Sequence, residues 1–284
     1  MNAIRIIPRL DVKGPNLVKG IHLEGLRVLG KPEVFARFYY ESGADELYFQ
    51  DAVASLYDRN SLHDIISKTA KEIFIPLTVG GGIRTLDDIK MALRAGADKV
   101  AINTGAMKRP EFIREAARKF GSSTIVVAIE AIRQPGGEYL AYTDNGREHT
   151  GLSVREWAMQ VEELGAGEIV ITSVDREGTG NGFDIELTRM ITNNVSIPVV
   201  AHGGASGPED VLDVVKNTDT DAVAIASILH YDCIRNLDLI NADYQAEGNL
   251  TFVRSGKNFS RISPCTIADV RNRLLEENIY TRTY

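Results

Sequence analysis

The sequence predicts an α/β fold, a single (β/α)8 barrel assembled from two half-barrels. Eight short runs rich in Val and Ile alternate with amphipathic stretches along the chain. This alternation is typical of buried parallel strands separated by helices. An internal duplication supports the same fold, and the 284 residues slightly exceed the roughly 250 that one α/β barrel occupies.

The eight apolar runs are the predicted barrel strands. Each is short and apolar throughout, which suits a strand buried on both faces. They span Ile4 to Leu10, Glu46 to Phe49, Ile73 to Val79, Lys99 to Ile102, Thr124 to Ile129, Glu168 to Thr172, Ile197 to Ala201 and Ala222 to Ile225.

Helix signals separate these strands. Thr85 is followed three residues later by Asp88, which resembles a capping box with Asp in the acidic place, and Pro110 occupies a tolerated first-turn position. Amphipathic stretches cover 153–164 and 207–215, and a final helix begins near Thr266. Strands alternating with helices in this way favour a TIM barrel.

The two halves of the chain repeat each other. Pro76 to Ile83 aligns with Pro198 to Ala205 at an offset of 122 residues, and Asp98 to Thr104 aligns with Asp221 to Ser227 at an offset of 123. A period this long indicates a duplication rather than a solenoid repeat. Each half-barrel should therefore contribute four βα units.

Two segments depart from the repeating plan. The Asp144-Asn145-Gly146 turn predicts a hairpin over 138–150, inserted after the fifth strand. The polar stretch 231–263 lies between the last strand and the final helix, and we interpret it as an extra segment at the catalytic end of the barrel. The whole chain, 1–284, including the inserted segment 231–263, is expected to form one domain.

The composition excludes several classes of function. A formal charge of -7 argues against nucleic-acid or membrane-surface binding, since both need a basic face. No apolar run has the length of a membrane span, and no signal peptide is recognisable. The two cysteines and five histidines have no ligand spacing, so we expect a cytoplasmic protein without metal or other cofactor.

Two carboxylates are the candidate catalytic groups. Active sites of such barrels lie at the C-terminal ends of the strands, where Asp11 follows strand one and Glu130 follows its repeat mate, strand five. A carboxylate pair in a partly dry site can separate its pKa values, which provides one acid and one base. The alternative is that one of them caps a loop through backbone N–H groups.

Glycines and small polar residues after four strands predict two phosphate sites. Backbone N–H groups at glycines, together with helix N-termini, attract anions. Because the pattern is duplicated, we expect a ligand with a phosphate at each end, whereas the alternative is glycines that serve only tight turns. The candidate residues are Gly81, Gly82, Asn103 and Thr104 in the first half, and Gly203, Gly204, Ala226 and Ser227 in the second.

Several motifs resemble those of one family, the HisF cyclase subunits of imidazole glycerol phosphate synthase. The resemblance covers residues 4–230 and resumes in the final helix. The stretches that carry it are Arg9 to Lys13, Gly43 to Leu47, Asp51 to Ser55, Thr78 to Ile83, Ala101 to Thr104, Thr172 to Thr179 and Gly203 to Ala205.

The resemblance implies an ammonia-using enzyme with a partner. A glutaminase subunit (HisH-like) would dock on the N-terminal face of the barrel, and its ammonia would travel through the barrel to the opposite mouth. The resemblance implies an entrance gate at Arg5, Glu46, Lys99 and Glu168. A ring of ion pairs that only stabilises the barrel is the alternative, and both can hold together.

The resemblance also implies roles at the mouth. Asp11 and Glu130 occupy the places of the family's general acid and base, which cleave a bis-phosphorylated aminoimidazole carboxamide ribonucleotide and close the imidazole ring. Lys19 matches a mobile loop over 14–30 that closes on substrate. Asp51 and Thr172 lie in matching stretches and are further substrate candidates.

Other positions depart from the family pattern. Glu130 and Glu177 stand where aspartates are usual, and a displacement of about 1 Å can cost ~10²-fold in a positioned reaction. Arg9 replaces a small neutral residue and should point inward near Asp11, where a cation lowers the pKa of a carboxylate. Polar side chains are also expected in the barrel lining at Tyr48, Gln50 and His202.

These departures favour a specialised relative. The chain is most similar to HisF-like subunits linked to surface-polysaccharide biosynthesis, where ammonia serves a third, amide-activating protein that makes an acetamidino sugar. Our hypothesis is an ammonia-conducting subunit with weak or no ring closure. The alternatives are a genuine histidine-pathway cyclase and a non-catalytic scaffold barrel.

Overall fold

The structure, a computed structural model, describes residues 3–53, 63–236 and 261–282. Its strands are β1 (Arg5–Lys13), β2 (Asn16–Ile21), β3 (Glu24–Gly30), β4 (Leu47–Asp51), β5 (Leu77–Gly80), β6 (Lys99–Ile102), β7 (Ile125–Arg133), β8 (Tyr139–Thr143), β9 (Glu148–Ser153), β10 (Glu168–Ser173), β11 (Val199–His202) and β12 (Ala222–Ile225). Its helices are α1 (Pro32–Glu41), α2 (His63–Thr69), α3 (Leu86–Ala95), α4 (Thr104–Lys108), α5 (Glu111–Phe120), α6 (Val154–Glu163), α7 (Ile185–Thr192), α8 (Pro208–Asn217), α9 (Ser227–Asn236) and α10 (Ile267–Glu276).

The predicted barrel is confirmed. The strands β1, β4, β5, β6, β7, β10, β11 and β12 pair in that order, and β12 pairs with β1 to close the circle. Neighbouring strands of the barrel run parallel. All eight predicted runs coincide with these strands, although the third begins at Leu77 rather than Ile73.

The barrel interior is layered. Side chains of β1 alternate between the inside and the outside, so Ile7 packs inside while its neighbour Ile6 packs in the outer core. The middle layer is apolar and consists of Ile7, Tyr48, Ala101, Val126, Val170, Val200, Ala222 and Ala224. Charged and polar residues therefore lie at the two ends of the barrel axis.

A larger core lies between the barrel and the helices. Buried aromatic side chains, including Phe35, Phe112 and Trp157, anchor α1, α5 and α6 against the strands. The capping box predicted for α3 is confirmed, because Thr85 Oγ1 accepts from the Asp88 N–H and the Asp88 carboxylate accepts from the Thr85 N–H. Capped ends and apolar faces together fix each helix against its strands.

Two antiparallel ribbons extend β1 and β7. The predicted hairpin is confirmed as β8 and β9, with β8 paired to β7. The stretch 14–30, interpreted from the sequence as a loop, is instead the ribbon β2–β3 paired to β1. Its turn is made by His22 and Leu23 at φ 53° and 62°, residue types that give no turn signal in a sequence.

The predicted extra segment 231–263 lies mostly outside the described residues, which resume at Arg261 after Asn236. Its beginning is the end of α9. At its end, the Ser263 N–H donates to the Ser206 carbonyl at 2.8 Å. In the part of the chain that the structure describes, no helix has the length and apolar character to cross a membrane.

Candidate functional site

A first cavity opens at the C-terminal ends of β4 to β7. Most of the candidate residues predicted for this half of the mouth lie together here. The predicted residues that line it are Arg9, Gln50, Asp51, Gly81, Gly82, Asn103, Thr104, Glu130 and Thr172. Arg84, Asp144 and Asn145 also line it. No signal in the sequence pointed to Arg84, and Asp144 and Asn145 were identified only as part of a hairpin turn, not as part of the site.

A second, smaller cavity lies at the ends of β10 to β12. The residues predicted for the second phosphate site are brought together in it, beside the start of α9. Its predicted lining residues are Glu177, His202, Gly203, Gly204, Ala226 and Ser227. The duplicated arrangement is thus present, while the binding of phosphate itself stays a prediction.

Glycine is required at both cavities by backbone geometry. Gly81 has φ +96°, and a Cβ there would lie 2.7 Å from the Asp51 carbonyl oxygen. Gly204 has φ +108°, and its Cβ would lie 2.1 Å from the Gly182 carbonyl oxygen. Residues with a side chain rarely adopt such backbone angles. Glycine at these two positions therefore allows the backbone to pack closely around each cavity.

Glu130 is a buried acid held by the inserted hairpin. Its Oε2 accepts from the Gly146 N–H at 2.8 Å. Burial raises the pKa of Glu130 to about 7, although the Gly146 N–H and the Arg9 guanidinium oppose that change. A carboxyl group with this pKa can give or take a proton near neutral pH. The hairpin signal in the sequence could have identified the turn as part of the site.

Asp11 forms a buried ion pair with Arg9. Arg9 Nε donates to Asp11 Oδ1 at 2.9 Å, and both side chains are almost completely buried. Burial lowers the pKa of the Arg9 guanidinium, but Asp11, Tyr48 and Glu177 together raise it, so the pKa ends above its usual value. Arg9 is therefore charged, and Asp11, unlike Glu130, is not part of the lining of the first cavity.

Arg9 also crosses to the other side of the barrel. Its NH1 lies 3.4 Å from Thr172 Oγ1 and 3.1 Å from His202 Nδ1. Its guanidinium carbon is 5.3 Å from the centre of the Tyr48 ring, a cation–π distance. The expected inward direction of Arg9 is confirmed, and its side chain lies above the apolar layer, at the mouth end of the barrel.

Lys19 is part of a latch between the β2–β3 ribbon and the loop after β10. Its ammonium group forms a buried ion pair with Glu177. Glu177 Oε2 accepts from the Leu23 N–H at 2.9 Å, and the Glu177 carbonyl accepts from the His22 N–H at 3.0 Å. These contacts hold the ribbon against the loop after β10, on the side of the mouth that contains the second cavity, and Glu177 makes all three of them.

The four predicted gate residues form a closed ring at the opposite end of the barrel. Arg5 pairs with Glu46 at 3.0 Å and with Glu168, while Lys99 pairs with both glutamates at 2.9 Å. Cations and anions alternate, so the ring carries no net formal charge. Burial lowers the pKa of Arg5, but the two glutamates raise it, so the pKa ends above its usual value.

The fold and this site define a class of protein. A duplicated barrel with two glycine-lined cavities at one end and an ion ring at the other agrees with a family model described as histidine biosynthesis protein, which matches residues 5–235. The chain belongs to the histidine biosynthesis protein family.

Relatives of the chain within that family include HisF proteins. The chain is 56% identical over 210 residues to the imidazole glycerol phosphate synthase subunit HisF of Legionella pneumophila, covering 74% of this chain and 99% of that protein. It is 47% identical to the HisF subunit of Alkaliphilus metalliredigens, covering 80% of this chain and 90% of the relative. For the HisF subunit of Methanopyrus kandleri the identity is 49%, over 81% of this chain and 91% of the relative.

Proposed function

We propose that this chain is the synthase subunit of a glutamine amidotransferase complex. A glutaminase subunit of the HisH type binds the N-terminal face of the barrel, and its ammonia passes along the barrel axis to a phosphorylated ligand at the mouth. The observation that carries the proposal is the closed ring of Arg5, Glu46, Lys99 and Glu168 around that axis. The relatives' name, a subunit of imidazole glycerol phosphate synthase, supports it.

The apolar middle layer of the barrel suits passage of ammonia. Most of its side chains, such as Ile7, Val126 and Val170, carry no hydrogen-bonding groups. The Tyr48 hydroxyl in this layer already donates to Gln50 Oε1 at 3.0 Å. A neutral NH3 molecule crosses such a layer at far lower cost than a hydrated ammonium ion, because a buried charge without a partner is very unfavourable. The ring then governs access, since a passing molecule has to separate its ion pairs.

The proposal includes weakened ring closure and service to surface-sugar amidination. Asp11 lies in a buried ion pair with Arg9, so this carboxylate is engaged by a cation instead of facing a substrate. Glu130 carries one methylene more than the family's aspartate. We infer that the ammonia is handed to a third, amide-activating protein that modifies a nucleotide sugar, and that phosphorylated ligand binding persists at the glycine-lined cavities.

One observation favours a second candidate, a genuine cyclase of histidine biosynthesis. The pKa of Glu130 is raised to about 7 by burial, which is well placed for general acid–base catalysis at neutral pH. Glu130 also lines the first cavity. Under this alternative, Glu130 exchanges protons with the ligand directly, and the Arg9–Asp11 pair separates when substrate binds.

Complementation of a histidine auxotroph that lacks its own cyclase distinguishes the two candidates. The proposal predicts no growth with the native chain and growth with the double variant Arg9→Cys, Glu130→Asp, expressed at the same level. Full growth supported by the native chain would refute the weakened-cyclase proposal and favour the genuine cyclase.

The ring has its own test in the complex with the glutaminase. Lys99→Ala removes the two ion pairs that Lys99 makes in the ring. Glutamine-dependent product formation should fall several-fold, because ammonia from the glutaminase has to pass the ring. Product formation from added ammonium should stay near the native value. Lys90→Ala, a surface change on α3, is the matched control. A non-catalytic scaffold barrel predicts that Lys99→Ala leaves both activities untouched.

A further inference from the structure

His202 occupies a place where the first half-barrel has Gly80, and its ring is held in one orientation. Arg9 NH1 and Thr172 Oγ1 each lie 3.1 Å from His202 Nδ1. A guanidinium group only donates hydrogen bonds, so Nδ1 acts as an acceptor. The hydrogen-bond network therefore puts the imidazole proton on Nε2.

The ring of His202 is also neutral. Burial lowers the pKa of His202 well below its usual range, and the cations of Arg9 and Lys19 lower it further. At neutral pH the imidazole consequently carries a single proton. Together with the acceptor role of Nδ1, this makes Nε2–H a fixed donor whose direction does not depend on a change of charge.

His202 lines the second cavity with the glycines and the start of α9. Its Nδ1 is already engaged, and no residue that the structure describes bonds to Nε2. We propose that His202 Nε2 donates a hydrogen bond to a phosphate group bound beside Gly203, Gly204 and Ser227, and that Arg9 is the positioning residue that fixes this tautomer. This inference rests on the proposed function only in taking the ligand to be phosphorylated.

The duplication provides an internal comparison. At the matching place in the first cavity, Gly80 has no side chain, and the space is filled by Gln50 and Tyr48, whose atoms lie 2.4 and 3.0 Å from where its Cβ would be. Only the second cavity of the pair thus gains a side-chain donor from this position. The two ends of a bis-phosphorylated ligand would be distinguished by this difference.

Nuclear magnetic resonance of the full chain labelled with 15N-histidine tests the tautomer. The His202 resonances, assigned by their loss in His202→Gln, should have the pattern of an Nε2–H imidazole, and inorganic phosphate should shift the Nε2 signal along a saturable curve. In Arg9→Met combined with Asp11→Asn, which removes the ion pair without leaving a lone charge, the tautomer should become mixed. An Nδ1–H tautomer in the native chain, or an Nε2 signal that phosphate does not move, would overturn the proposal.

Affinity at each cavity is measured from backbone amides. Because a hydrogen bond to a charged group is worth more than one between neutral groups, His202→Phe should weaken phosphate binding followed at Gly203 and Gly204 by about tenfold. His202→Gln, which keeps a donor, should retain most of the affinity. The amides of Gly81 and Gly82 are the control and should titrate as in the native chain.

An equal loss at both cavities, or none at Gly203 and Gly204, would contradict the assignment, and so would the absence of any phosphate response at these two amides. None of these readouts depends on the reaction catalysed. A failure of the proposed ammonia transfer would therefore leave these readouts unchanged, and their failure would leave the proposed ammonia transfer intact.

Discussion

The Arg9–Asp11 pair is the feature on which the proposed loss of ring closure depends, and its strength can be measured. The two side chains are only 5% and 7% exposed, so solvent screens them little. Arg9→Met leaves the Asp11 carboxylate buried without its cation, which costs about 3–5 kcal/mol for pairs of this kind. Asp11→Asn leaves the guanidinium without its anion and should cost a similar amount.

The corresponding change in melting temperature follows from chain length. Unfolding entropy is about 2.1 cal/mol/K per residue, or roughly 0.6 kcal/mol/K for this chain, so a loss of about 3–5 kcal/mol lowers the Tm by about 5–8 °C. The double variant Arg9→Met, Asp11→Asn removes both charges, and it should regain most of that loss because buried pairs can be replaced by neutral groups at little cost.

Thermal unfolding of the native chain, the two single variants and the double variant completes the cycle. Arg37→Met is the matched control, because the Arg37–Glu41 pair is 61% and 59% exposed and exposed pairs contribute about 0–1 kcal/mol. Strictly additive losses in the double variant would refute the coupling, as would single-variant losses no larger than that of the control.

Three further predictions concern the mouth. Burial raises the pKa of Glu130 to about 7, so the folded chain keeps a proton that the unfolded chain loses above about 4.3. Stability therefore falls as pH rises from roughly 4.3 to about 7, and Glu130→Gln should remove up to about 3 kcal/mol of that fall. Identical pH profiles of unfolding would contradict this. Glu177→Gln removes the anion that pairs with Lys19, so limited trypsin digestion should cleave the ribbon several-fold faster than in the native chain. An unchanged cleavage rate would show that other contacts hold the ribbon in place. Gly204→Ala brings a Cβ within 2.1 Å of the Gly182 carbonyl oxygen and should weaken phosphate binding at the second cavity at least tenfold in a titration, whereas native affinity would mean that this loop can shift freely.

The barrel was predictable because its signals are local and repeated. Short apolar runs, the Thr85–Asp88 capping box and the Asp144-Asn145-Gly146 turn each carry a physical preference that the fold keeps. The β2–β3 ribbon was not predictable in the same way, since its turn uses His22 and Leu23 in left-handed conformations. Tertiary contacts from Glu177 hold that turn, and a sequence pattern does not report them.

Much of the candidate site was also predictable, because duplication and strand alternation bring distant residues to the same end of the barrel. Strand alternation correctly predicted that Arg9 points inward. It could not give the partners of Arg9, since Thr172 and His202 belong to strands more than 160 residues away in the chain. The burial that raises the pKa of Glu130 likewise depends on the packed hairpin and not on its local sequence.

The central claim is that Arg9 has taken Asp11 out of ring closure. The most direct test is turnover of the bis-phosphorylated aminoimidazole carboxamide ribonucleotide by the purified chain with added ammonium, which bypasses the glutaminase. We predict a rate below the usual enzyme range of ~1–10³ s⁻¹, and a large gain in the double variant Arg9→Cys, Glu130→Asp. A native rate within that range would contradict the account.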